Sequence, residues 1–235
     1  DGTTNLVIEN SLIEKFGHCA SGGHLDHGLY IASGDGMVVR NNEIRLNSSR
    51  GIQFNTEDGS FGKINNVTID HNRIHNNGHA DYEDGIVLNG GGTGTVTNVT
   101  INHNLIYGNY YSGIRVVDVA YTAIVISQNT LFGNSLAGAG PGRSEMNIDS
   151  AGSGANTNVT RNILYAAFQG LNSCYDAFAR KYTLVDNVVQ GNMPGGTAGN
   201  CVSQSNTMQP MFVNAAGADF HTQNAAASAY GAYAP

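Results

Sequence analysis

Residues 65–77 read NNVTIDHNRIHNN, and this stretch decides the fold. Val67 and Ile69 alternate with polar residues, which is the period of two expected of a strand with one buried face. Asn72 follows that strand, and Ile74 begins a second short strand that ends at the closing asparagine. The stretch therefore predicts two short strands, each ended by an asparagine bend.

The same phrase recurs along the chain. In each copy an asparagine is followed five residues later by another asparagine, with an aliphatic residue two positions after the first. The pairs are Asn42/Asn47, Asn72/Asn77, Asn104/Asn109, Asn129/Asn134 and Asn187/Asn192. Asn10 and Asn162 begin two further copies that lack the second asparagine. A phrase that recurs with insertions of variable length is an internal repeat, which is typical of a solenoid.

A third aliphatic phrase completes each repeat, as in GIVL at residues 85–88. Strands this short cannot pair within one repeat, so each is expected to pair with the equivalent strand of the next repeat around a continuous aliphatic core. Asparagines at equivalent bends would then stack about 4.8 Å apart and hydrogen-bond to one another. The alternative, a two-sheet sandwich, would place hairpin dipeptides regularly between alternating strands. The prediction is an all-β parallel β-helix, a single-stranded solenoid of about seven coils with an asparagine ladder.

The phrases NVTIDHNRIHNN, NVTINHNLIYGN, HGLYI and RGIQF resemble repeats of right-handed parallel β-helix proteins, the pectate-lyase-like superfamily. The resemblance covers about residues 5–192. It implies a right-handed coil and an extended polysaccharide as the partner, because the superfamily includes polysaccharide lyases, glycoside hydrolases and mannuronan epimerases. It also includes non-catalytic phage and surface proteins, and no catalytic signature here selects one member.

The repeats allow no division into separate globular units. We predict the β-helix over residues 1–207 and a C-terminal capping tail over residues 208–235, which has left the repeat. An open terminal coil exposes unpaired backbone N–H and C=O groups that can pair with another chain. No amphipathic helix that could cover this edge precedes Asn5. We therefore expect the N-terminal cap to be missing, replaced by loop packing or supplied by a partner.

Composition narrows the class of protein. The chain has 11 Lys plus Arg against 18 Asp plus Glu, a net charge of −7, which argues against a nucleic-acid partner. Only 12% of the residues are charged and 31 are glycine, a composition closer to secreted solenoids than to cytosolic enzymes. No apolar run approaches membrane-spanning length. We expect a secreted, extracellular protein with no membrane span.

Three cysteines leave two readings open. Cys174 and Cys201 lie 27 residues apart, about one coil, so they could form a disulfide between neighbouring coils. Two free buried thiols are the alternative, and Cys19 is left over in either case.

Function in a solenoid sits on a face built from equivalent positions of successive coils. In the third strand, the outward-facing residues of successive coils are Tyr30, Gln53, Val87, Arg115 and Asn147. The glycines that precede these strands have no side chains, so we expect them to form a shelf on which an extended ligand can approach the backbone. Loops entering this strand add histidines, tyrosines and arginines. The substrate-binding candidates are Tyr30, Gln53, His27, Arg50, Asn89, Asn147 and Arg143.

Uronan β-elimination is the leading chemistry. It needs a cation to neutralise the carboxylate, a base to remove the C5 proton and an acid to protonate the leaving oxygen. Arg115 is the candidate cation, His79 the candidate base, and Tyr82 or Tyr111 the candidate acid. Binding without catalysis is an open alternative.

Acidic residues suggest two further possibilities. Asp81, Glu83 and Asp84 could hold Ca²⁺ through carboxylate oxygens, although an acidic solvated loop is the favoured reading. A glycoside hydrolase would need paired carboxylates, which Asp81 or Asp84 could supply together with Asp149 or Glu145.

Two columns outside this face have simpler readings. His71 and His103 occupy equivalent positions beside a bend and are expected to stack as a structural pair. Tyr107, Phe132 and Tyr165 share an outward column on the second strand, where they could form a sugar platform or pack under the C-terminal tail or a neighbouring chain.

Overall fold

The computed structural model describes most of the chain. The described residues are 3–17, 25–56, 62–80, 83–90, 93–117, 120–138, 143–149, 157–167, 172–176, 183–190, 202–206 and 210–235. Cys19 and Cys201 lie outside them, so the disulfide stays a prediction.

Each coil contains a leading, a second and a third strand. The leading strands are β1 (Thr3–Thr4), β2 (Val7–Glu9), β5 (Gly34–Arg40), β8 (Lys63–Asp70), β11 (Thr95–Asn102), β14 (Ala120–Ser127), β17 (Asn158–Thr160), β20 (Thr183–Gln190) and β21 (Val202–Asn206). The second strands are β3 (Leu12–Glu14), β6 (Glu43–Arg45), β9 (Arg73–His75), β12 (Leu105–Tyr107), β15 (Thr130–Phe132) and β18 (Ile163–Tyr165). The third strands are β4 (Leu29–Ala32), β7 (Ile52–Thr56), β10 (Ile86–Gly90), β13 (Ile114–Val117), β16 (Ser144–Asp149) and β19 (Asn172–Asp176).

Strands of one type pair with the same type in the neighbouring coils, always in parallel. Leading and second strands join into one 15-stranded sheet through β20, and the third strands form a separate six-stranded sheet. Register follows the repeat, so that Ile69 lies beside Ile101 and Ile86 beside Ile114. The predicted all-β parallel solenoid is confirmed.

The predicted number of coils is wrong. The regular solenoid has about 4 turns, formed by β5 to β16, rather than seven. The prediction counted every leading asparagine as one full coil. Asn10 and Asn162 lack a second asparagine, and β20 alone occupies both the leading and the second position after Asn162, so the coils at both ends depart from the regular repeat.

Aliphatic side chains fill the inside of the solenoid. Ile44, Ile74, Ile106 and Leu131 come from successive second strands, and none of them is exposed. They belong to one buried cluster that runs through all the described coils. Burial of this column drives stacking, because each aliphatic side chain removed from water contributes about 1.5–3 kcal/mol.

The leading asparagines form a buried ladder, which we call the first ladder. Each side-chain Nδ2 donates to the Oδ1 of the next rung at 2.9–3.0 Å. The rungs are Asn42, Asn72, Asn104, Asn129, Asn162 and Asn187. The predicted asparagine ladder is confirmed.

The second asparagines form a parallel second ladder of Asn47, Asn77, Asn109 and Asn134, with Nδ2 to Oδ1 distances of 2.8–3.0 Å. It does not end on an asparagine. Asn134 donates through Nδ2 to Oε2 of Glu145 at 2.6 Å and through its backbone N–H to Oε1 at 3.1 Å. A buried carboxyl group thus occupies the position of the next rung.

The glycines before the third strands face this second ladder. A Cβ on Gly85 would lie 2.7 Å from the carbonyl oxygen of Gly113 and 2.9 Å from Nδ2 of Asn109. Gly51 and Gly113 are crowded in the same way. The expectation that these glycines form a shelf for a ligand is therefore wrong, because the space beside them is taken by the next coil.

The C-terminal residues contain a small antiparallel pair, β22 (Phe212–Asn214) and β23 (Asp219–Thr222), and 3-10 turns at Ala215–Gly217 and Ala225–Ala227. Phe220 packs between Tyr107 and Phe132, with ring centroids 5.1 and 4.8 Å away. The tail therefore covers the aromatic column of the second strands. Residues 207–209 lie outside the described part, and the boundary at 207/208 stays a prediction.

Candidate functional site

The outward column of the third strands is in register as expected, with Gln53 between Tyr30 and Val87, and Arg115 between Val87 and Asn147. Its exposure differs from the expectation. Tyr30 is 46% exposed, but Gln53 and Arg115 are only 4% and 5% exposed, and Asn147 is fully buried. The predicted open groove along this column is wrong, since only the end at Tyr30 is exposed.

Two arginines and one aspartate meet on this face. Arg115 Nη1 lies 3.9 Å from Oδ2 of Asp84, and the backbone N–H of Ser112 donates to Oδ1 of Asp84 at 3.0 Å. Burial raises the pKa of the Asp84 carboxyl, and the positive charges of Arg115 and Arg50 oppose that rise. We call Arg50, Asp84 and Arg115 the arginine cluster.

Arg50 lies just before β7. Its Nη1 donates to Oε1 of Gln53 at 2.8 Å. Burial and the charge of Arg115 lower the pKa of Arg50, while the carboxylates of Asp84 and Glu83 favour its charged form. Among the described residues no hydrogen-bond acceptor lies within reach of its Nε. Arg50 therefore brings a second guanidinium to a site with one aspartate.

The ring of Tyr111 packs against two guanidinium groups, those of Arg115 and Arg143. The buried ring lies under Arg115 at 5.5 Å and under Arg143 at 5.7 Å, measured from ring centroid to Cζ. Such contacts stabilise a desolvated guanidinium by roughly 2 kcal/mol. Arg143 also donates to the carbonyl oxygen of Ala137 at 2.9 Å. The geometry gives Tyr111 a packing role beside the cluster, whereas its predicted role as acid stays a prediction.

His27 and Tyr30 form a stacked pair at the exposed end, with ring centroids 5.5 Å apart and an interplanar angle of 17°. Burial, followed by the charge of Arg50, lowers the pKa of His27 to about 4. The imidazole is thus neutral near pH 7. The Tyr30 hydroxyl accepts a hydrogen bond from Nδ2 of Asn55 at 3.0 Å.

The predicted base His79 is held in the loop before β10. Its Nδ1 lies 2.6 Å from the carbonyl oxygen of Ser48 and 3.4 Å from Oε2 of Glu83. Glu83 Oε2 also accepts the backbone N–H groups of His79 and Ala80. The described contacts of His79 do not include the arginine cluster. Tyr82 lies outside the described residues.

The two described calcium candidates, Glu83 and Asp84, make different contacts. Glu83 caps its own loop and Asp84 faces Arg115, while Asp81 lies outside the described residues. Within the described ranges no group of three or more His, Cys, Asp or Glu side chains could hold a metal ion. Calcium binding stays a prediction.

The remaining candidates lie apart from the cluster. Asn89 is half-buried on β10, in register with Asn55 and Val117. Glu145, proposed as one of two hydrolase carboxylates, points into the second ladder. Burial raises its pKa to about 8. It is therefore not one of an exposed carboxylate pair on the outer face.

The predicted stack of His71 on His103 is confirmed, with ring centroids 4.8 Å apart and an interplanar angle of 4°. The sequence predicted His27 as a substrate-binding residue and did not predict its buried stack on Tyr30. A signal was available, because His27 immediately precedes the first glycine of the third-strand column.

Among the described residues no helix is long and apolar enough to cross a membrane. Comparison with curated proteins and with solved structures gives no match. A family model described as right handed beta helix region matches residues 1–148, more than half of the chain. With its parallel coils and asparagine ladder, the chain belongs to the right-handed β-helix family.

Proposed function

We propose that this protein is secreted, binds a uronic-acid-containing polysaccharide on the outward face of the third strands, and cleaves it by β-elimination. The observation that carries the proposal is the pairing of two guanidinium groups, Arg50 and Arg115, with one carboxylate, Asp84. Two neighbouring guanidinium groups are complementary to a sugar carboxylate, because guanidinium groups bind carboxylates in a fixed two-pronged geometry.

Exposed Tyr30 and the buried imidazole of His27 that stacks on it supply groups for proton transfer. In the proposed reaction the arginines neutralise the uronate carboxylate, which acidifies the C5 proton. His27 removes that proton, the C4–O bond breaks as the C4=C5 double bond forms, and Tyr30 protonates the leaving oxygen. The low pKa of His27 keeps its imidazole unprotonated at neutral pH. His79 is the alternative base.

Binding without cleavage is the second candidate. The observation that favours it is the burial of Gln53, Arg115 and Asn147, which leaves little of the column open to a sugar ring. A glycan would then contact mainly Tyr30, whose exposed aromatic ring is suited to stacking on a sugar.

One assay separates these candidates. The protein is incubated with polygalacturonate, alginate, hyaluronan and neutral glucans, and the ultraviolet absorbance of the unsaturated uronate is followed together with reducing ends. Both signals rise together for a lyase, and reducing ends rise alone for a hydrolase. Binding of a uronan without either signal supports the second candidate, and no binding to any uronan contradicts both.

Removal of Arg115 tests the cluster. We expect Arg115→Ala to lower lyase activity at least about tenfold, a loss of about 1.4 kcal/mol in transition-state stabilisation. Because this change leaves buried Asp84 without its nearest cation, Asp84→Asn/Arg115→Gln provides a counterpart in which both partners are neutral. Arg40→Gln is the matched control, since Arg40 pairs with Glu9 on a different face. Full activity in a folded Asp84→Asn/Arg115→Gln variant would remove the cluster from the site.

A further inference from the structure

A second polar surface lies away from the arginine cluster, where the leading strands begin. It encloses a groove of about 520 Å³, whereas a cavity beneath the C-terminal tail measures about 120 Å³. The groove crosses β1, β5, β8 and β11. It is lined by Thr3, Thr4, Ser33, Gly34, Asp35, Lys63, Asn65, Thr95 and Thr97.

The side chains of this groove occupy equivalent positions in four coils. Thr4 lies in register with Asp35, Asp35 with Asn65, and Asn65 with Thr97. Adjacent strands are separated by about 4.8 Å, so hydroxyl, carboxylate and amide groups follow one another at that spacing along the solenoid axis. None of the lining residues is aromatic or aliphatic. The groove is therefore a row of hydrogen-bonding groups.

A directional hydrogen-bond chain fixes these groups. The Thr97 hydroxyl donates to Oδ1 of Asn65 at 2.7 Å, and Nδ2 of Asn65 donates to Oδ1 of Asp35 at 3.4 Å. Asn66 Nδ2 donates to the same Asp35 oxygen at 2.8 Å. The Oδ2 atom of Asp35 receives no hydrogen bond from the described residues. The chain thus presents one oriented carboxylate oxygen to the groove.

Lys63 supplies the complementary donor. It lies in register with Thr95 and lines the same groove, yet it forms no ion pair or hydrogen bond with any described residue, Asp35 included. Two arginines on the leading and second strands behave differently: Arg40 pairs with Glu9, and Arg45 pairs with Glu14. An acceptor and a donor that face one groove without meeting each other leave room for a molecule that hydrogen-bonds to both.

We propose that this groove binds a neutral, hydroxyl-rich oligosaccharide. One carboxylate and one ammonium group give it no net charge, so it favours neither an anion nor a cation. Sugar hydroxyls donate to the carboxylate of Asp35 and accept from the ammonium of Lys63, with Thr95 and Thr97 as further partners. The groove is distinct from the arginine cluster and takes a different chemical class of sugar.

The test is binding of neutral hexasaccharides of glucose, mannose, galactose and xylose, followed by backbone amide shifts of the ¹⁵N-labelled full chain. We expect at least one of them to shift the amides of Asp35, Asn65 and Thr97. Asp35→Asn and Lys63→Met should each weaken that binding about tenfold. Thr100→Val is the matched control, since Thr100 lies on β11 outside the groove.

Two outcomes overturn the proposal. One is the absence of groove shifts with all four neutral sugars, or affinity that both charge variants leave unchanged. The other is binding of oligogalacturonate in this groove, which would contradict the neutral ligand class. Neither result bears on uronate binding at the arginine cluster, which the amides of Arg50 and Arg115 report separately.

Discussion

The first ladder and the second ladder run through the same coils, yet their rungs make different hydrogen bonds. In the first ladder, Nδ2 of Asn104 lies near three acceptors: Oδ1 of Asn129, the carbonyl oxygen of Ile69 and that of Asn102 in its own coil. In the second ladder, Nδ2 of Asn109 has two, Oδ1 of Asn134 and the carbonyl oxygen of Ile74. At Asn104, Asn129 and Asn162 the first ladder thus also fixes the bend within its own coil, whereas Nδ2 of Asn42 and Asn72 makes no such third contact with a described residue.

The ladders also differ in what surrounds them. The second ladder runs beside the glycines that begin the third strands, and a side chain at Gly85 would meet both the ladder and the next coil. Glu145 follows this glycine column in the chain and itself has a side chain, whose carboxyl group replaces the next rung. Glu145, which stands where earlier coils have glycine, therefore ends both the glycine column and the second ladder.

The largest expected effect comes from removing an interior rung. Asn104→Ala leaves the backbone N–H and Nδ2 of Asn72 without their acceptor, Oδ1 of Asn104. Each buried donor left unpaired costs about 1–3 kcal/mol, so we expect a loss of about 3 kcal/mol or more in the free energy of unfolding. Asn109→Ala, the matched rung of the second ladder, should cost less, by at most about 1 kcal/mol, because it removes one fewer Nδ2 contact to a carbonyl oxygen. Urea denaturation measures both, and equal losses would contradict the difference between the ladders.

The next effect is a pH dependence that is confined to the second ladder. Burial raises the pKa of Glu145 from 4.5 to about 8, so the folded chain holds a proton that the unfolded chain releases. Stability associated with Glu145 is complete below pH 4.5 and is lost as the pH rises to about 8. Glu145→Gln, which keeps the acceptor without the charge, should therefore be more stable than the parent at pH 8, by an amount on the order of a few kcal/mol.

Unfolding free energies at several pH values between 4.5 and 8 test this prediction. Glu9→Gln, a change at an exposed glutamate, is the control and should follow the parent profile. A constant difference between Glu145→Gln and the parent over this range would show that the carboxyl does not titrate there.

Much of the fold could be predicted from the sequence, because asparagine spacing and aliphatic alternation act locally and repeat. The sequence also indicates where the second ladder ends, because the third-strand phrase EMNI at residues 145–148 begins with glutamate whereas other copies begin with glycine. That signal did not reveal that the Glu145 carboxyl turns inward to bind Asn134, because the direction of the side chain depends on the missing rung above it.

The site could be predicted less well. Register placed Gln53, Arg115 and Asn147 on one outward column, which the structure confirms. Their burial could not be predicted, because exposure of an outward side chain depends on tertiary packing that is not encoded in the strand pattern. The role of Asp84 beside Arg115 likewise depends on a contact between successive coils that neither loop length nor composition specifies.

The most direct test of the in-register stacking is a disulfide between neighbouring coils. Thr68 and Thr100 are half-buried, outward-facing partners on β8 and β11. Strands about 4.8 Å apart are within disulfide range. Thr68→Cys/Thr100→Cys should therefore form a bridge on mild oxidation, and peptide mass spectrometry distinguishes it from any bridge of the native cysteines. Thr68→Cys/Asn102→Cys, offset by two residues, should not. Efficient bridging of the offset pair with none in the aligned pair would contradict the stacking on which both ladders and the arginine cluster depend.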